Sequence, residues 1–550
     1  MNALKLKDQA KKTELCEDDH EDDHEDDRED DHEDDREDDH EDDHEDDRED
    51  DHEDETDSCS ETDSEENLTS DDEFDVSQDV IFSLYNNRYI PIKYLGRGTF
   101  SRVWLTYDIH ENILVAMKVI FSKYYEDGLD EIKTNEYIKR TLNFKETKLN
   151  LLELKDHFIE KSKEICLIYE LMGVCMLDIQ DYFYLQSGSE SESGSDNDNG
   201  SDNDNDSDND NDNGEYTSSL IPLPLIKKFT TDILQGLDSL HSIKRIHTDL
   251  KPENILTNVY NRGINMYKQI FEVDNDFSIK YKQLLDKVLP DNYSELDKNK
   301  KKKVKRRCRM TAGKQLTEYI NDIVNSVIVK LSDDFFMKNN NVTDITDINI
   351  DDLDNLDIGD EGNSKTFKEY NKEIEFIDTD YSKITAKIID FGNCENPDKL
   401  IQDEISIRCY RPPENFMNFF YNEKADIWSL GCLIFEFITG ETLFEIKSVL
   451  DTNERDRLYL YEMYKFIGKI PKYMALDCEF SYDIFDSKGR IKDLQNCDYS
   501  SIKKLLIDEF NFDPIIALEL DTFLMDIFKY DVKQRPSAKQ LQENKWLKST

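Results

Sequence analysis

The stretch HTDLKPENIL, residues 247–256, holds three side chains whose types and spacing fit one reaction. Asp249 offers a carboxylate to accept a hydroxyl proton, Lys251 an ammonium to steady a transferring anion, and Asn254 an amide oxygen to hold a hard cation. A second carboxylate, Asp390, stands in KIIDFGN (387–393). Upstream, VAMK (115–118) ends in Lys118, and GRGTFSRVWL (96–105) carries Gly96 and Gly98, which let a backbone approach phosphate oxygens closely. A glycine loop, a lysine, an Asp–Lys–Asn loop and a metal-binding Asp, in that chain order, are the parts of phosphoryl transfer, a reaction run almost entirely by positioning and charge. Each part is weak alone. Two glycines also suit a plain hairpin turn, an isolated Asp-Phe-Gly arises by chance, and a Glu on a helix is usually solvated.

The surrounding elements add weight. YIPIKYL, SRVWLTYD and ILVAMKVI read as short strands rich in β-branched and aromatic residues, and HFIE and EICLIYEL read as two more. LDEIKTNEYIKRTL between them is helical. Lys118 falls on the third strand, where a buried ammonium needs an acid; Glu131 on the helix is the expected partner and Glu136 its competitor. After PLPLIKKFTTDILQGLDSLHSI, apolar at helical spacing, comes the catalytic stretch. An interruption over roughly 258–383 precedes KIIDFGN, and the chain is then mainly helical to Thr550. KADIWSLGCLIFEFITG is apolar on most of its surface, as a buried helix is. The fold class expected is α+β in two lobes: a small β-rich N-lobe at about 85–172 and a larger α-helical C-lobe at about 173–548.

The chain has 550 residues and a formal net charge of −56. Residues 17–52 are nine tandem copies of E-D-D-[HR], and 186–214 is almost only Ser, Gly, Asp and Asn. Neither has the apolar content to offset ordering entropy, so an acidic tail (1–80) and the 186–214 insert are expected to be disordered. The six His of the repeat lie four or eight apart, a metal-binding spacing on a helix, but so dense a like charge favours a solvated tail. Without these segments the chain is still acidic, which suits basic peptide partners and argues against direct nucleic-acid binding. Ten Cys without a C-x-x-C pair, no signal peptide and no bilayer-length apolar run point to an intracellular protein of cytoplasm or nucleus, with no membrane association. In the 258–383 spacer, KNKKKKVKRRCR (298–309) reads either as a nuclear-import signal or as an internal counterion for the acidic tail. IKYKQLLDKVL and LTEYINDIVNSVIVKL read as local helices that pack on the lobes.

Over roughly 85–185, 215–258 and 384–548 the chain resembles the SR-protein kinases, a branch of the CMGC group of serine/threonine kinases. The resemblance rests on LGRGTFSRVWL, VAMKV with GLDEIK, CLIYELMG, PLPLIKKFTTDILQGLDSLH, IHTDLKPENIL, KIIDFGN and ADIWSLGCLIFEFITGETLFE. Ser101 in place of a third loop glycine, Thr248 in place of the Arg of H-R-D, and a long spacer all belong to that pattern. The resemblance implies ATP and Mg²⁺ as cofactors. Leu95, Gly96, Arg97, Gly98, Thr99, Phe100, Ser101, Val103, Ala116, Lys118, Glu170 and Met172 would bind the nucleotide. Lys118, Glu131, Asp249 and Lys251 would be catalytic, and Asn254 and Asp390 would hold the metal. It further implies a monomer that transfers the γ-phosphate to Ser, or Thr, of Arg/Ser-rich basic proteins. Glu414 of RPPEN should pair with Arg535 of KQRPSA, and Asp426 of ADIWS should accept backbone amides of the catalytic loop.

Thr248 carries no charge to meet a phosphorylated activation loop, and the segment NCENPDKLIQDEISIRCYRPPE (393–414) has one hydroxyl residue before Arg408, namely Ser406. The segment is therefore expected to be ordered by its own packing, the enzyme to be active without phosphorylation there, and Ser406→Ala to be tolerated. Two departures stand out. Ile407 occupies the place of a Thr that usually bonds the catalytic Asp, and the family's acidic docking positions near 451–460 are interrupted by Arg455, Arg457 and Leu458. The competing class is an acidic scaffold or weakly active pseudokinase that sequesters basic proteins; the intact Lys118, Asp249, Asn254 and Asp390 argue against it.

Overall fold

The computed structural model describes residues 84–144, 149–160, 162–186, 219–274, 276–338, 357–358, 365–366, 371–374, 380–398, 404–446, 452–479, 481–492 and 499–549. The tail at 1–80 and, but for Gln186, the acidic insert at 186–214 lie outside the described residues.

Five antiparallel strands make the first lobe: β1 (Tyr89–Arg97), β2 (Ser101–Asp108), β3 (Ile113–Ile120), β4 (Leu154–Ile159) and β5 (Ile165–Glu170), in the order β1-β2-β3-β5-β4. Period-two alternation decides the faces of β3. Val115, Met117 and Val119 are buried with Trp104, Cys166 and Ile168, while Ala116 and Lys118 stand half-buried on the other face. Helix α1 (Tyr125–Thr141) packs against β4 and β5, with Glu131 and Asn135 one turn apart among its buried residues.

The second lobe is helical. Helix α2 (Met176–Gln186) and helix α3 (Leu223–Ser242) lead to the catalytic stretch. In the helix Lys424–Thr439 every residue from Ala425 to Ile438 is buried, and Gly440 ends it with φ 83°, the left-handed conformation that glycine adopts without strain. The fold is thus the two-lobed α+β arrangement. A two-stranded ladder fixes the centre: β6 (Ile255–Thr257) pairs with Ala386–Ile388 in the register Ile255↔Ile388 and Thr257↔Ala386. This ladder closes over the entire spacer and sets the catalytic stretch beside Asp390.

The spacer begins as helix α4 (Arg262–Lys268), passes through a π-helical turn at Gln269–Asp274, and continues as α5 (Phe277–Val288) and α6 (Lys298–Lys338). The two apolar patches do form helices, and the run KNKKKKVKRRCR forms the first turns of α6. Leu316, Ile320, Val324, Val327 and Leu331 recur at helical spacing and are buried against Ile90, Ile92, Leu105, Tyr107, Ile109 and Leu114 of the sheet lobe. Phe277 packs edge-on to Tyr107 and tilted to Phe271, with ring centroids 5.0 Å apart in both pairs. Among the described residues no helix is long and apolar enough to cross a membrane.

Candidate active site

The strand pair β2–β3 sets Val103 opposite Lys118 and Leu105 opposite Ala116, so Ala116 and Lys118 share a face. The Lys118 ammonium bonds Glu131 Oε1 at 2.8 Å and Oε2 at 3.0 Å, and Asp390 Oδ1 at 3.1 Å. Burial alone would pull this ammonium down, but Glu131 and Asp390 outweigh it and hold it above the ordinary lysine range. Tyr169 donates to Glu131 Oε1 at 3.2 Å and steadies the acid from the neighbouring strand. Glu131, 6 % exposed, is the partner; Glu136 instead lies 3.7 Å from the His157 ring.

In the loop between β1 and β2, the Gly98 amide donates to Ser101 O at 2.8 Å. A Cβ built on Gly96 would meet nothing within 4 Å, and one on Gly98 would reach only Ser101, at 3.8 Å or more. Packing within the protein does not demand these glycines; they leave open room of the kind phosphate oxygens occupy. Leu95 and Phe100 are exposed at the edges of this loop, and Ser101 is buried beneath it.

Asp249 is held by its neighbours. Lys251 Nζ donates to its Oδ2 at 2.9 Å, and Asn254 Nδ2 donates to its main-chain oxygen at 2.8 Å and to Oδ2 at 3.1 Å. Because the Asn254 nitrogen is turned to Asp249, the amide oxygen is the atom left for a cation. Asp390 has a left-handed backbone, φ 65°, and a carboxyl that burial would raise but that Lys118, His247 and Lys251 hold below the ordinary range, so it is anionic. Two hard oxygen donors on adjacent strand ends fit Mg²⁺, which draws much of its shell from water and substrate phosphates.

The loop rests on Asp426, 1 % exposed. Its Oδ2 accepts from the His247 amide at 2.8 Å and lies 2.9 Å from the His241 ring, and its Oδ1 accepts from the Thr248 amide at 2.9 Å. Burial would raise this acid, yet the His241 contact and the amides keep it lowered. Glu414 and Arg535 form the expected ion pair, bidentate at 2.8 and 2.9 Å, and fully buried.

Three features were not assigned from the sequence. Glu170, at the end of β5, pairs with Lys387, the middle residue of the strand that pairs with β6, tying the lobe connection to the Asp390 strand. Beyond Met172, Gly173 donates to Thr257 O at 2.6 Å, and a Cβ there would lie 1.7 Å from Val259 O. Tyr260 donates to Leu171 O at 3.1 Å from the start of the spacer. The signal for Gly173 was its place after ELM; for Tyr260 and Lys387 there was none. In the helix Thr452–Ile467, Asp456 pairs with Arg408 and Glu454 with Arg457, so these acids bond within the protein.

Comparison with known proteins agrees with the geometry. The model of the protein kinase domain matches residues 89–267 and 376–547, leaving α5 and α6 outside it. Protein kinase dsk1 of Schizosaccharomyces pombe is 24 % identical, over 84 % of this chain and 81 % of its own length. SRSF protein kinase 3 of Mus musculus is 25 % identical, over 85 % and 87 %. The putative serine/threonine-protein kinase L205 of Acanthamoeba polyphaga mimivirus is 26 % identical, over 84 % and 87 %. With a matched domain split by a spacer and relatives of this kind along most of its length, the chain belongs to the protein kinase family and is a serine/threonine kinase of the SR-protein-kinase type.

Proposed function

We propose that the enzyme transfers the γ-phosphate of ATP to serine in Arg/Ser-rich basic proteins, and that it does so without a phosphate on its own activation segment. Lys118, set by Glu131, would hold the α- and β-phosphates. Asn254 and Asp390 would hold Mg²⁺, which supplies charge neutralisation between the phosphates when bound. Asp249 would accept the hydroxyl proton of the substrate and Lys251 would steady the moving phosphoryl group. The nucleotide would sit between the glycine loop, Val103 and Ala116 on one side and the Glu170–Met172 connection on the other.

The observation that carries this reading is the closed Lys118–Glu131–Asp390 network, with distances of 2.8 to 3.1 Å. A scaffold that only sequestered basic proteins would gain nothing from holding an ammonium between two acids beside a glycine loop. The basic-substrate reading draws on the chain's net charge of −56 and on the names of the SRSF relatives. The test compares Ser/Arg, Ser/Pro and Ser/Glu peptides at low and high salt. Ser/Arg should be phosphorylated fastest, with its lead shrinking as salt screens the guanidinium–carboxylate attraction. Equal rates on all three would remove the substrate assignment and leave the kinase standing.

A further inference from the structure

The first turns of α6 concentrate positive charge. Nine of the twelve residues 298–309 are Lys or Arg and none is Asp or Glu. Like charges three and four residues apart, such as Lys303 with Arg306 and Arg307, destabilise a helix, and cations near its N-terminus oppose the macrodipole. Asp297, just before the helix, accepts the Lys300 amide at 3.0 Å and pairs with the Lys300 ammonium at 3.1 Å. Both charge effects favour an anion along the turns that follow. The run is nevertheless packed as helix. Cys308 is buried and its thiol donates to Val288 O at 3.2 Å, while Lys303, Lys305, Arg306 and Arg307 are exposed. The cations are thus displayed from a fixed scaffold.

The chain arrives at this helix from its acidic end. Leu84, the first described residue, packs on α6 at Gly313, four residues beyond Arg309; a side chain at Gly313 would collide with Leu84. The E-D-D-[HR] repeat, which ends at His52, carries 27 carboxylates and three arginines. About 30 residues join it to Leu84, enough for about 100 Å of extended chain, and Gly313 lies only about 15 Å along the helix from Lys303. The other acidic segment, 186–214, is less dense, with ten acids in 29 residues, and it follows α2 rather than a residue seated on α6.

We propose that the basic first turns of α6 are a docking surface for the chain's own E-D-D-[HR] repeat. The attraction is between many exposed charges, so it needs no single register and weakens with salt. The repeat offsets both the mutual repulsion of the cations and their opposition to the helix dipole. It also gives the basic run a role that leaves it folded.

Hydrogen exchange on the full chain tests this without reference to kinase activity, because the sign of the response tells a covered helix from a bare one. Protection is compared for the wild type, for Lys303→Gln/Arg306→Gln/Arg307→Gln, and for a full-length variant in which every Glu and Asp of 17–52 becomes Gln or Asn. Gln has nearly the helix propensity of Lys and Arg, so the triple change does not itself weaken the helix. Raising salt from about 20 mM to about 500 mM should lower protection at the amides of 303–309 about fivefold in the wild type, the size that several exposed ion pairs carry. At low salt each variant should already be less protected by about that factor, and most of the salt response should be gone. On a bare helix the signs reverse, since salt or the loss of three cations relieves repulsion and raises protection. Unchanged or higher protection in wild type at high salt, or in the triple variant, would overturn the proposal. Salt-sensitive protection that survives neutralising the repeat would overturn it in favour of the 186–214 insert. Protection that grows with protein concentration would overturn it in favour of a second copy's repeat. The amides of Lys424–Thr439 should keep wild-type exchange throughout, showing that the fold is intact; if a variant does not fold, the salt response of the wild type decides.

Discussion

At the scale of single residues, buried charge is tolerated here only in closed sets. Arg535 is fully buried, donates to both oxygens of Glu414 and to the main-chain oxygens of Lys424 and Lys529, and lies over the Trp428 ring. Glu414→Gln would leave that guanidinium uncompensated, and the expected cost is about 3–5 kcal/mol, read by chemical denaturation. A loss below about 1 kcal/mol, the size of an exposed pair, would contradict the burial argument. Which residues were legible follows from the same logic. Lys118, Asp249, Asn254 and Asp390 could be picked out because the chemistry proposed for them demands fixed types at fixed places in a motif. Sequence favoured Glu131 over Glu136 without deciding between them, because both lie on one helix and only the helix's rotation settles which faces β3. The bond from the Ser406 hydroxyl to Thr248 O was not legible, because a main-chain acceptor leaves no trace in the sequence.

At the scale of elements, the least legible fact is the role of the spacer. Its apolar patches predicted helices, but no periodicity says which surface a helix covers. That surface is the β1–β3 side of the sheet lobe, where Phe271 and Phe277 cluster with Tyr107. Phe271 is fully buried, so Phe271→Ala should destabilise the sheet lobe by about 3–5 kcal/mol, the range for deleting a buried aromatic ring. A thermal midpoint within a degree or two of wild type would show that the spacer only rests on the lobe. The lobe connection has its own constraint at Gly173. There a side chain cannot enter without separating the connection from Val259, since the clash is with main chain. Gly173→Ala should weaken nucleotide binding more than it weakens overall stability, checked by ATP affinity beside the unfolding midpoint.

At the scale of the whole molecule, composition divides the chain into parts that pack and parts that need not. Removing 1–80, or replacing 186–214 with a short Gly/Ser linker, should leave the unfolding midpoint nearly unchanged, because closure entropy changes by only about 0.6 kcal/mol per doubling of loop length. A drop of many degrees would place these segments in the packed structure. The central claim concerns the part that packs: a phosphoryl-transfer site assembled from both lobes, with Lys118 held by α1, Asp249 by Asp426, and Asp390 by the strand that pairs with β6. The most direct test is γ-phosphate transfer from Mg²⁺–ATP to a Ser/Arg-repeat peptide by the wild type, Lys118→Met and Asp249→Ala. The account predicts transfer by the wild type and a loss of at least about 10²-fold in each variant, as expected when an electrostatic or proton-accepting group is removed, with unfolding midpoints retained. Near wild-type turnover in a correctly folded Asp249→Ala, or no transfer by the wild type, would contradict it.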